Sequence, residues 1–278
     1  MTPIFPIVEC FVMNLNRFSR WPGRLIECPE ECLLSPPDVD GFSIPLPEPD
    51  EIHIWLLRLD TEHPALTDDE RRADLDEEER QRADRYVHPG ARRGFLWTRA
   101  LLRRLLGRYL QCEPRGIRLE TNAHGKPRLA ETREDQELVF NVSHTDRLAA
   151  LGFALDRPLG IDIEKPATGR HWQRIADYGL SPRERDRWQS LSAARQVPEF
   201  LKYWTAKEAL VKAAGRGISL GLQRVELAED FSAFATLPEE LGSAADWRLC
   251  GWTLDDYCLA LATRTPVGRI RFYQAEAG

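Results

Sequence analysis

The order of its apolar patterns is the feature that most limits what this chain can fold into. A strand pattern, a set of helical patterns and a group of short strand patterns follow one another, and the same order returns in the second half. This order predicts an α+β protein made of two similar halves that meet near residue 160. No clear repeat of the residues themselves accompanies it.

The first half opens with an apolar strand pattern at 52–59. A charged helix is predicted over 68–86, and a longer one with apolar residues at helical spacing over 92–110. Alternating residues near 138–142, the run 148–155 and the segment 159–164 then predict a three-stranded meander with tight turns.

The second half continues with helical patterns and returns to strand patterns towards its end. The predicted helices cover 168–178, 181–194 and 197–214. The predicted strands lie near 225, 247–252, 257–262 and 270–273. We therefore expect one half over 51–158 and the other over 159–278, the latter carrying the candidate metal site described below.

The first fifty residues differ from the rest because they are rich in proline. The prolines that punctuate this stretch are Pro29, Pro36, Pro37, Pro45, Pro47 and Pro49. Proline fixes φ and removes a hydrogen-bond donor, so segment 1–50 is predicted to be a linker or a meandering coat.

Composition narrows the function classes. The formal net charge of −6 argues against non-specific nucleic-acid binding by the whole chain, although nine arginines accompany one aspartate over 80–108. That arginine cluster is either a solvated helix surface or a site for a small phosphorylated ligand. No membrane span or signal peptide is indicated, so the cytoplasm is the expected compartment.

The six cysteines have no framework spacing and are expected to be reduced thiols. Cys28 and Cys32 are spaced to share a zinc ion, but no second closely spaced Cys/His pair completes such a site.

Segment 160–164 is an unusual strand because it carries two carboxylates. Successive side chains of a strand point to opposite faces, so Ile161 and Ile163 lie on one face. Asp162 and Glu164 then project together from the other, about 7 Å apart. Neighbouring carboxylates repel unless a proton or a cation lies between them. The pair is either a cation site or part of a solvent-exposed strand face.

The helix predicted over 197–214 places a carboxylate on its apolar side. Glu208 lies on the apolar stripe that runs from Leu201 to Val211 at spacings of three and four. An unpaired buried carboxylate is costly, so a cation is expected beside it. Lys212 permits a simple i,i+4 ion pair, and Lys207 is a candidate surface charge.

Asp162, Glu164 and Glu208 together form an oxygen-only set without His or Cys. Such hard ligands favour magnesium, or manganese, over zinc. Magnesium usually binds phosphate oxygens of a substrate as well, and Lys212 can hold another phosphate oxygen as a point charge. The implied chemistry is attack at a pyrophosphate, with metal and lysine stabilising the developing negative charge.

Two further segments carry polar side chains. Ser143 and His144 end a predicted strand and offer a hydroxyl and an imidazole suited to phosphate oxygens. Adjacent strand residues do not easily form a nucleophile–base pair, so no hydrolase triad is indicated. Segment 122–127 is a turn with the cationic Lys126. A phosphate-cradling glycine loop is absent, because Gly-Arg-Gly at 215–217 follows a helix instead of opening one.

These segments, in this order, resemble the Sfp-type 4′-phosphopantetheinyl transferases over residues 52–262. The matching segments are Gly125-Lys126-Pro127, Asn141-Val142-Ser143-His144, Gly160-Ile161-Asp162-Ile163-Glu164, and Trp204-Thr205-Ala206-Lys207-Glu208 with Lys212. The acidic strand and the Lys-Glu helix are specific in combination. The resemblance implies a pseudo-two-fold α+β monomer with coenzyme A held in the cleft between its halves.

The resemblance also implies a mechanism. Asp162, Glu164 and Glu208 would bind magnesium together with the pyrophosphate of coenzyme A. Glu208, or a metal-bound water, would take the proton from a serine of an apo-carrier protein, and Lys212 would act beside it as the second catalytic residue. The products would be a holo-carrier protein and adenosine 3′,5′-bisphosphate.

Coenzyme A would be held by other matching residues. Lys212 and His144 would contact its phosphates with help from Ser143, and Lys126 and Pro127 would border the adenine pocket.

One position departs from the family pattern. Family members commonly carry an arginine for the 3′-phosphate just before the Phe-Leu of the long helix, where this chain has Gly94. Arg93 is the expected substitute, with Arg82 or Arg85 assisting.

Three alternatives follow from the same residues. The chain could be a degenerate family member that only binds carrier proteins or polyanions, an RNA-binding module, or another magnesium enzyme acting on a nucleotide pyrophosphate. The intact set of carboxylates and lysine argues against lost chemistry. Carriers of fatty-acid, polyketide, nonribosomal-peptide and lysine biosynthesis are all open as partners.

Overall fold

The protein is an α+β fold of two β-sheets and two sets of helices, which confirms the predicted fold class. The computed structural model describes residues 18–20, 33–34, 44–60, 67–131, 136–167 and 171–275. The α-helices are α1 (Asp68–Asp74), α2 (Glu77–Asp84), α3 (Pro89–Leu110), α4 (Trp172–Gly179), α5 (Pro182–Gln189) and α6 (Ala193–Ala214). The strands are β1 (Phe18–Arg20), β2 (Leu33–Leu34), β3 (Glu51–Arg58), β4 (Leu119–Thr121), β5 (Pro127–Leu129), β6 (Leu138–His144), β7 (Leu148–Leu155), β8 (Leu159–Glu164), β9 (Glu226–Leu227), β10 (Phe234–Thr236), β11 (Trp247–Leu254), β12 (Tyr257–Arg264) and β13 (Arg269–Ala275).

The elements form four layers, in the order helices, sheet, sheet, helices. One core lies between the two sheets and contains the apolar side chains of β3, β7, β8, β11, β12 and β13 that point inwards. The outer face of one sheet packs on α3, and the outer face of the other packs on α6. Each sheet is thus buried on both faces, which accounts for the nearly continuous apolar runs in β7 and β12.

The two sheets repeat one topology, as the order of patterns predicted. One sheet contains the neighbours β3-β7-β6 and the other contains β8-β12-β11, with antiparallel pairing throughout both sets. A helix of 22 residues separates the first strand from the later two in each case, α3 in one half and α6 in the other. One strand crosses between halves, because β13 pairs in parallel with β3.

The predicted three-stranded meander is wrong in its third strand. β6 and β7 pair with each other, but β8 pairs with β12 in the other sheet. The connection after Leu155 therefore carries the chain from one sheet to the other. Alternation along β8 could not reveal this, because it fixes the faces of a strand and not its neighbours.

The single helix predicted over 68–86 is two helices. Thr67 and Asp76 each accept a hydrogen bond from a backbone N–H three residues on and form capping boxes with Glu70 and Glu79. The second box starts a new helix after Leu75, whose extended backbone ends the first. In the second half, α4 ends one residue after the predicted 178, α5 ends five residues before the predicted 194, and α6 begins four residues before the predicted 197. Positions 168–170 lie outside the described residues.

The proline-rich segment lies mostly outside the described residues, as do Cys28 and Cys32. Two short strands of this segment are described: β1 extends one sheet beside β11, and β2 extends the other beside β13. Cys112 is exposed, and Cys250 and Cys258 are buried. Within the described ranges, each helix is too short or too polar to cross a lipid bilayer.

Candidate functional site

The two sheets meet edge to edge at β6 and β8. The polar side chains of β6 occupy positions on β8 that a neighbouring strand would otherwise fill. Asn141 Oδ1 accepts a hydrogen bond from the backbone N–H of Ile161 at 2.8 Å, and Ser143 Oγ accepts one from Ile163 at 3.3 Å. The halves are therefore joined by side-chain hydrogen bonds along this seam.

Asp162 lies in the seam and is only 4 % exposed. Its Oδ1 accepts hydrogen bonds from Ser143 Oγ at 2.8 Å and from Lys212 Nζ at 2.6 Å. Its Oδ2 is buried and has no hydrogen-bond partner among the described residues. The exposed strand face that the sequence left open is thus excluded for Asp162, whereas Ile161 and Ile163 fill the core between the sheets, as the alternation predicted.

A glycine lets α6 approach this strand closely. A Cβ atom at Gly160 would overlap the carbonyl oxygen of Ala209 and the amide nitrogen of Ala213. The helix backbone therefore lies directly on β8, which brings Glu208 and Lys212 beside Asp162. In the described part of the chain, Lys212 forms its ion pair across to Asp162 and not with Glu208 of its own helix.

Glu208 lies at the cleft wall in a crowded electrostatic environment. Burial raises the pKa of Glu208 to about 7, and the negative charges of Asp162 and Glu164 contribute in the same direction, while Lys212 opposes them. An additional positive charge near Glu208 would stabilise the ionised form of its carboxyl group.

The carboxylates fit a hard cation in their chemistry, although they do not form a closed cage. Among the described residues, no three His, Cys, Asp or Glu side chains converge as a metal-holding group. Asp162 nevertheless presents a buried oxygen without a partner among the described residues, and the negative charge of Glu164 contributes to the raised pKa of Glu208. Oxygen-only donors of this kind suit Mg²⁺ or Mn²⁺.

A cleft of about 250 Å³ opens beside these side chains. Its walls come from the β4–β5 hairpin, from β6 and from α6 and the turn after it. Of the predicted site residues, the structure brings four to this lining, namely Lys126, Pro127, Glu208 and Lys212. Both halves of the chain therefore contribute to one cleft.

The hairpin turn of the first half caps the end of α6. Asn122 Nδ2 donates to the carbonyl of Gly215 at 2.8 Å, and Lys126 Nζ donates to those of Leu159 at 2.9 Å and Ala213 at 3.4 Å. Burial lowers the pKa of Lys126 to about 8. Carbonyls at a helix C-terminus lack intrahelical partners, so these donors satisfy them from outside the helix.

The position that departs from the family pattern lies against His144. A Cβ atom at Gly94 would be 3.6 Å from the imidazole Cε1 and Nδ1. The Arg93 guanidinium instead lies over the Trp97 ring, 5.5 Å from its centroid, and that of Arg82 lies 5.1 Å from the centroid of Phe95. His144 itself is exposed, with Nδ1 3.1 Å from the carbonyl oxygen of Thr145.

Two charged residues lie elsewhere than the sequence suggested. Lys207 is not a surface charge but is fully buried, bonded to Glu184 at 2.5 Å and to two backbone carbonyls. Arg103, one of the nine clustered arginines, is also fully buried, where it pairs with Asp76 and Glu79. For Arg103, both interpretations of the arginine cluster are therefore wrong.

Asn122 and Asn141 belong to the sequence motifs described above, but no role was predicted for either side chain. Both form hydrogen bonds between the halves. The available signal was the polar pair Asn141 and Ser143, two residues apart and hence on one face of an otherwise apolar strand.

Comparisons with known proteins agree with this geometry. The family described as "4'-phosphopantetheinyl transferase superfamily" matches residues 158–262, and "4'-phosphopantetheinyl transferase, N-terminal" matches residues 67–154. The chain is 35 % identical to the 4′-phosphopantetheinyl transferase HetI of Nostoc sp. over 76 % of this chain and 86 % of that protein. It is 30 % identical to the transferase Sfp of Bacillus subtilis over 58 % of this chain and 70 % of Sfp. It is also 27 % identical to the human L-aminoadipate-semialdehyde dehydrogenase-phosphopantetheinyl transferase, over 54 % of this chain and 51 % of that protein.

Proposed function

This chain belongs to the 4′-phosphopantetheinyl transferase superfamily and is of the Sfp type, and from that premise we propose how its residues act. The enzyme transfers the phosphopantetheine arm of coenzyme A to a serine of a carrier protein. We further propose that the reaction depends on Mg²⁺, with Mn²⁺ as a substitute. It rests above all on the buried, unpartnered Oδ2 of Asp162 beside Glu208 and Lys212 at the cleft.

Asp162, Glu164 and Glu208 are the residues proposed to hold the cation. When bound, Mg²⁺ would neutralise charge on the pyrophosphate oxygens of coenzyme A. Lys212 supports the same task as a cation that already lies 2.6 Å from Asp162 Oδ1 and also lines the cleft. Its ammonium group would stabilise the negative charge that develops as the pyrophosphate is broken.

The proposed transfer step uses Glu208 as the base. The serine oxygen of the carrier forms a bond to the phosphorus that bears the pantetheine arm, and its proton passes to the Glu208 carboxylate. The bond from that phosphorus to the bridging oxygen breaks, and adenosine 3′,5′-bisphosphate leaves with the electron pair. The position of Glu208 in the cleft lining, beside Lys212, supports this role.

Coenzyme A is proposed to lie in the cleft between the halves. Lys126 and Pro127 line it where the adenine is expected, and His144 is proposed for the phosphates. Arg93 is the residue proposed to bind the 3′-phosphate. Arg82 is proposed to assist, since its guanidinium lies over Phe95, the residue after Gly94. Both walls come from one chain, which supports action as a monomer; we propose the cytoplasm as its location.

Intact mass spectrometry of an apo-carrier protein tests this proposal. The carrier is incubated with the enzyme and coenzyme A in three arms: with Mg²⁺, with EDTA, and with EDTA followed by excess Mg²⁺. We expect the carrier to gain one phosphopantetheinyl group in the first and third arms only. Gain in the EDTA arm would contradict metal dependence, and no gain with carriers of several pathways would contradict the transfer itself.

A further inference from the structure

The Ser143 hydroxyl has no hydrogen-bonding capacity left over. A serine hydroxyl has one proton to donate and two lone pairs to accept. The proton goes to Asp162 Oδ1 at 2.8 Å, and the lone pairs accept from Lys212 Nζ at 2.9 Å and from the N–H of Ile163 at 3.3 Å. The side chain is buried, so all three bonds are made to protein atoms away from bulk water.

These bonds fix the orientation of the Asp162 carboxylate. Oδ1 receives the Ser143 hydroxyl and the Lys212 ammonium, while Oδ2 receives neither and has no other donor among the described residues. The two oxygens of a carboxylate are equivalent, so a half-turn restores the same arrangement, but any intermediate rotation breaks both bonds to the bonded oxygen. The arrangement therefore selects Oδ2 as the oxygen that is available to another group.

We propose that Ser143 is a positioning residue for Asp162 and does not contact the phosphates of coenzyme A. It holds Oδ1 so that Oδ2 is presented to the cation, an inference that rests on the proposed metal dependence. Hydrogen bonds from outside the ligand set commonly orient carboxylate ligands, and their loss lowers metal affinity about 10- to 100-fold.

Ser143 connects the proposed cation site with the contact between the halves. Ser143 belongs to β6 of the first half, whereas Asp162 and Lys212 belong to β8 and α6 of the second. A single hydroxyl on one half thus sets the geometry of a ligand on the other.

Two binding measurements on Ser143→Ala separate positioning from phosphate contact. The first is Mn²⁺ affinity of enzyme saturated with coenzyme A in the absence of carrier, read from the electron paramagnetic resonance of free Mn²⁺. The second is coenzyme A affinity in EDTA, by calorimetry. We expect Mn²⁺ affinity to fall about 10- to 100-fold and coenzyme A affinity in EDTA to stay at the wild-type value.

Thr263→Val is the matched control. The Thr263 side chain is fully buried, and its hydroxyl donates to the carbonyl of Pro158 at 2.7 Å, just before β8. Its replacement removes a buried hydrogen bond next to the same strand without touching a carboxylate. We expect wild-type Mn²⁺ affinity for this variant.

Three outcomes would overturn the inference. Wild-type Mn²⁺ affinity in Ser143→Ala with weakened coenzyme A binding would make Ser143 a phosphate contact. An equal loss of Mn²⁺ affinity in Thr263→Val would show that any lost hydrogen bond around β8 weakens the site. A wild-type enzyme that binds no Mn²⁺ would overturn the proposed metal dependence as well, so the two failures are distinguishable.

Ser143→Cys serves where the alanine variant does not fold. Its thiol keeps the approximate size but is a weak donor. We expect Mn²⁺ affinity below the wild-type value in this variant, and wild-type affinity in a folded Ser143→Cys protein would contradict the positioning role.

Discussion

Two lysines on α6, five residues apart, form ion pairs of opposite character. Lys207 is fully buried and donates to Glu184, to the carbonyl of Gly179 at 2.8 Å and to that of Leu222 at 3.1 Å. Glu184 in turn accepts from the N–H groups of Ser181 and Leu227, so both of its oxygens are bonded. An ammonium group has three protons to donate, and Lys207 places all three.

The pair formed by Lys212 and Asp162 is incomplete only at its carboxylate, because Lys212 also has three acceptors, namely Asp162 Oδ1, Ser143 Oγ and the carbonyl of Ile161. One carboxylate oxygen has two donors and the other has none within the described residues. Lys212 is partly exposed and lines the cleft. Pairing alone therefore does not distinguish structural from functional charges. A buried pair with every atom bonded has no capacity left for a ligand, and loss of one partner destabilises the fold. A buried pair with one open atom beside a cleft is available for a ligand.

Replacing Lys207 should have the largest of the three effects, and this effect should be on stability. Lys207→Met leaves Glu184 buried without its cation, so we expect the free energy of unfolding to fall by about 3–5 kcal/mol. Urea denaturation measures this loss. The transfer rate per folded molecule should stay near the wild-type value. A stable Lys207→Met protein with lost activity would reverse the roles assigned to the two pairs.

Replacing the open carboxylate should act on activity instead. Asp162→Asn keeps the shape and an acceptor for Ser143 but removes the negative charge, so we expect the transfer rate to fall about 10³-fold. The free energy of unfolding should change by only about 1 kcal/mol, because the paired lysine is partly exposed. Carrier modification and urea denaturation are measured on the same preparation, and near-normal transfer would remove the basis of the proposed cation site.

The smallest of the three effects is expected at Lys212. Lys212→Ala should slow transfer about 10²-fold, because a developing phosphate charge loses its cation. Lys202→Ala is a suitable control, since Lys202 lies on the same helix in a pair with Glu199 at 3.4 Å. Steady-state kinetics with saturating coenzyme A measure both variants. Normal turnover by Lys212→Ala would assign the phosphate charge to another cation.

What the sequence predicted well was local. Alternation placed the isoleucines of β8 in the core and Asp162 opposite, and helical spacing placed Glu208 on the apolar stripe of α6 with Val211, which also lines the cleft. Both inferences use only neighbours in the chain, and the family resemblance that they supported is confirmed by the comparisons.

What the sequence could not predict depends on distant partners. Lysine is usually a surface residue, and nothing near Lys207 in the chain indicates that it pairs with Glu184, 23 residues earlier. The membership of β8 in the second sheet depends on its pairing with β12, about a hundred residues further on. For Ser143, the resemblance implies a phosphate contact, whereas its three hydrogen bonds support the positioning role proposed above.

The pairing of β13 with β3 has a consequence for how the chain is made. β13 lies between β2 and β3, so the sheet of the first half is completed only by residues 269–275. During synthesis, β3 and β7 emerge from the ribosome long before their sheet can close, and β3 exposes an unpaired edge meanwhile. The first half is therefore not expected to fold fully before β13 has been synthesised, whereas the sheet of the second half, β1-β11-β12-β8, contains no part of β13.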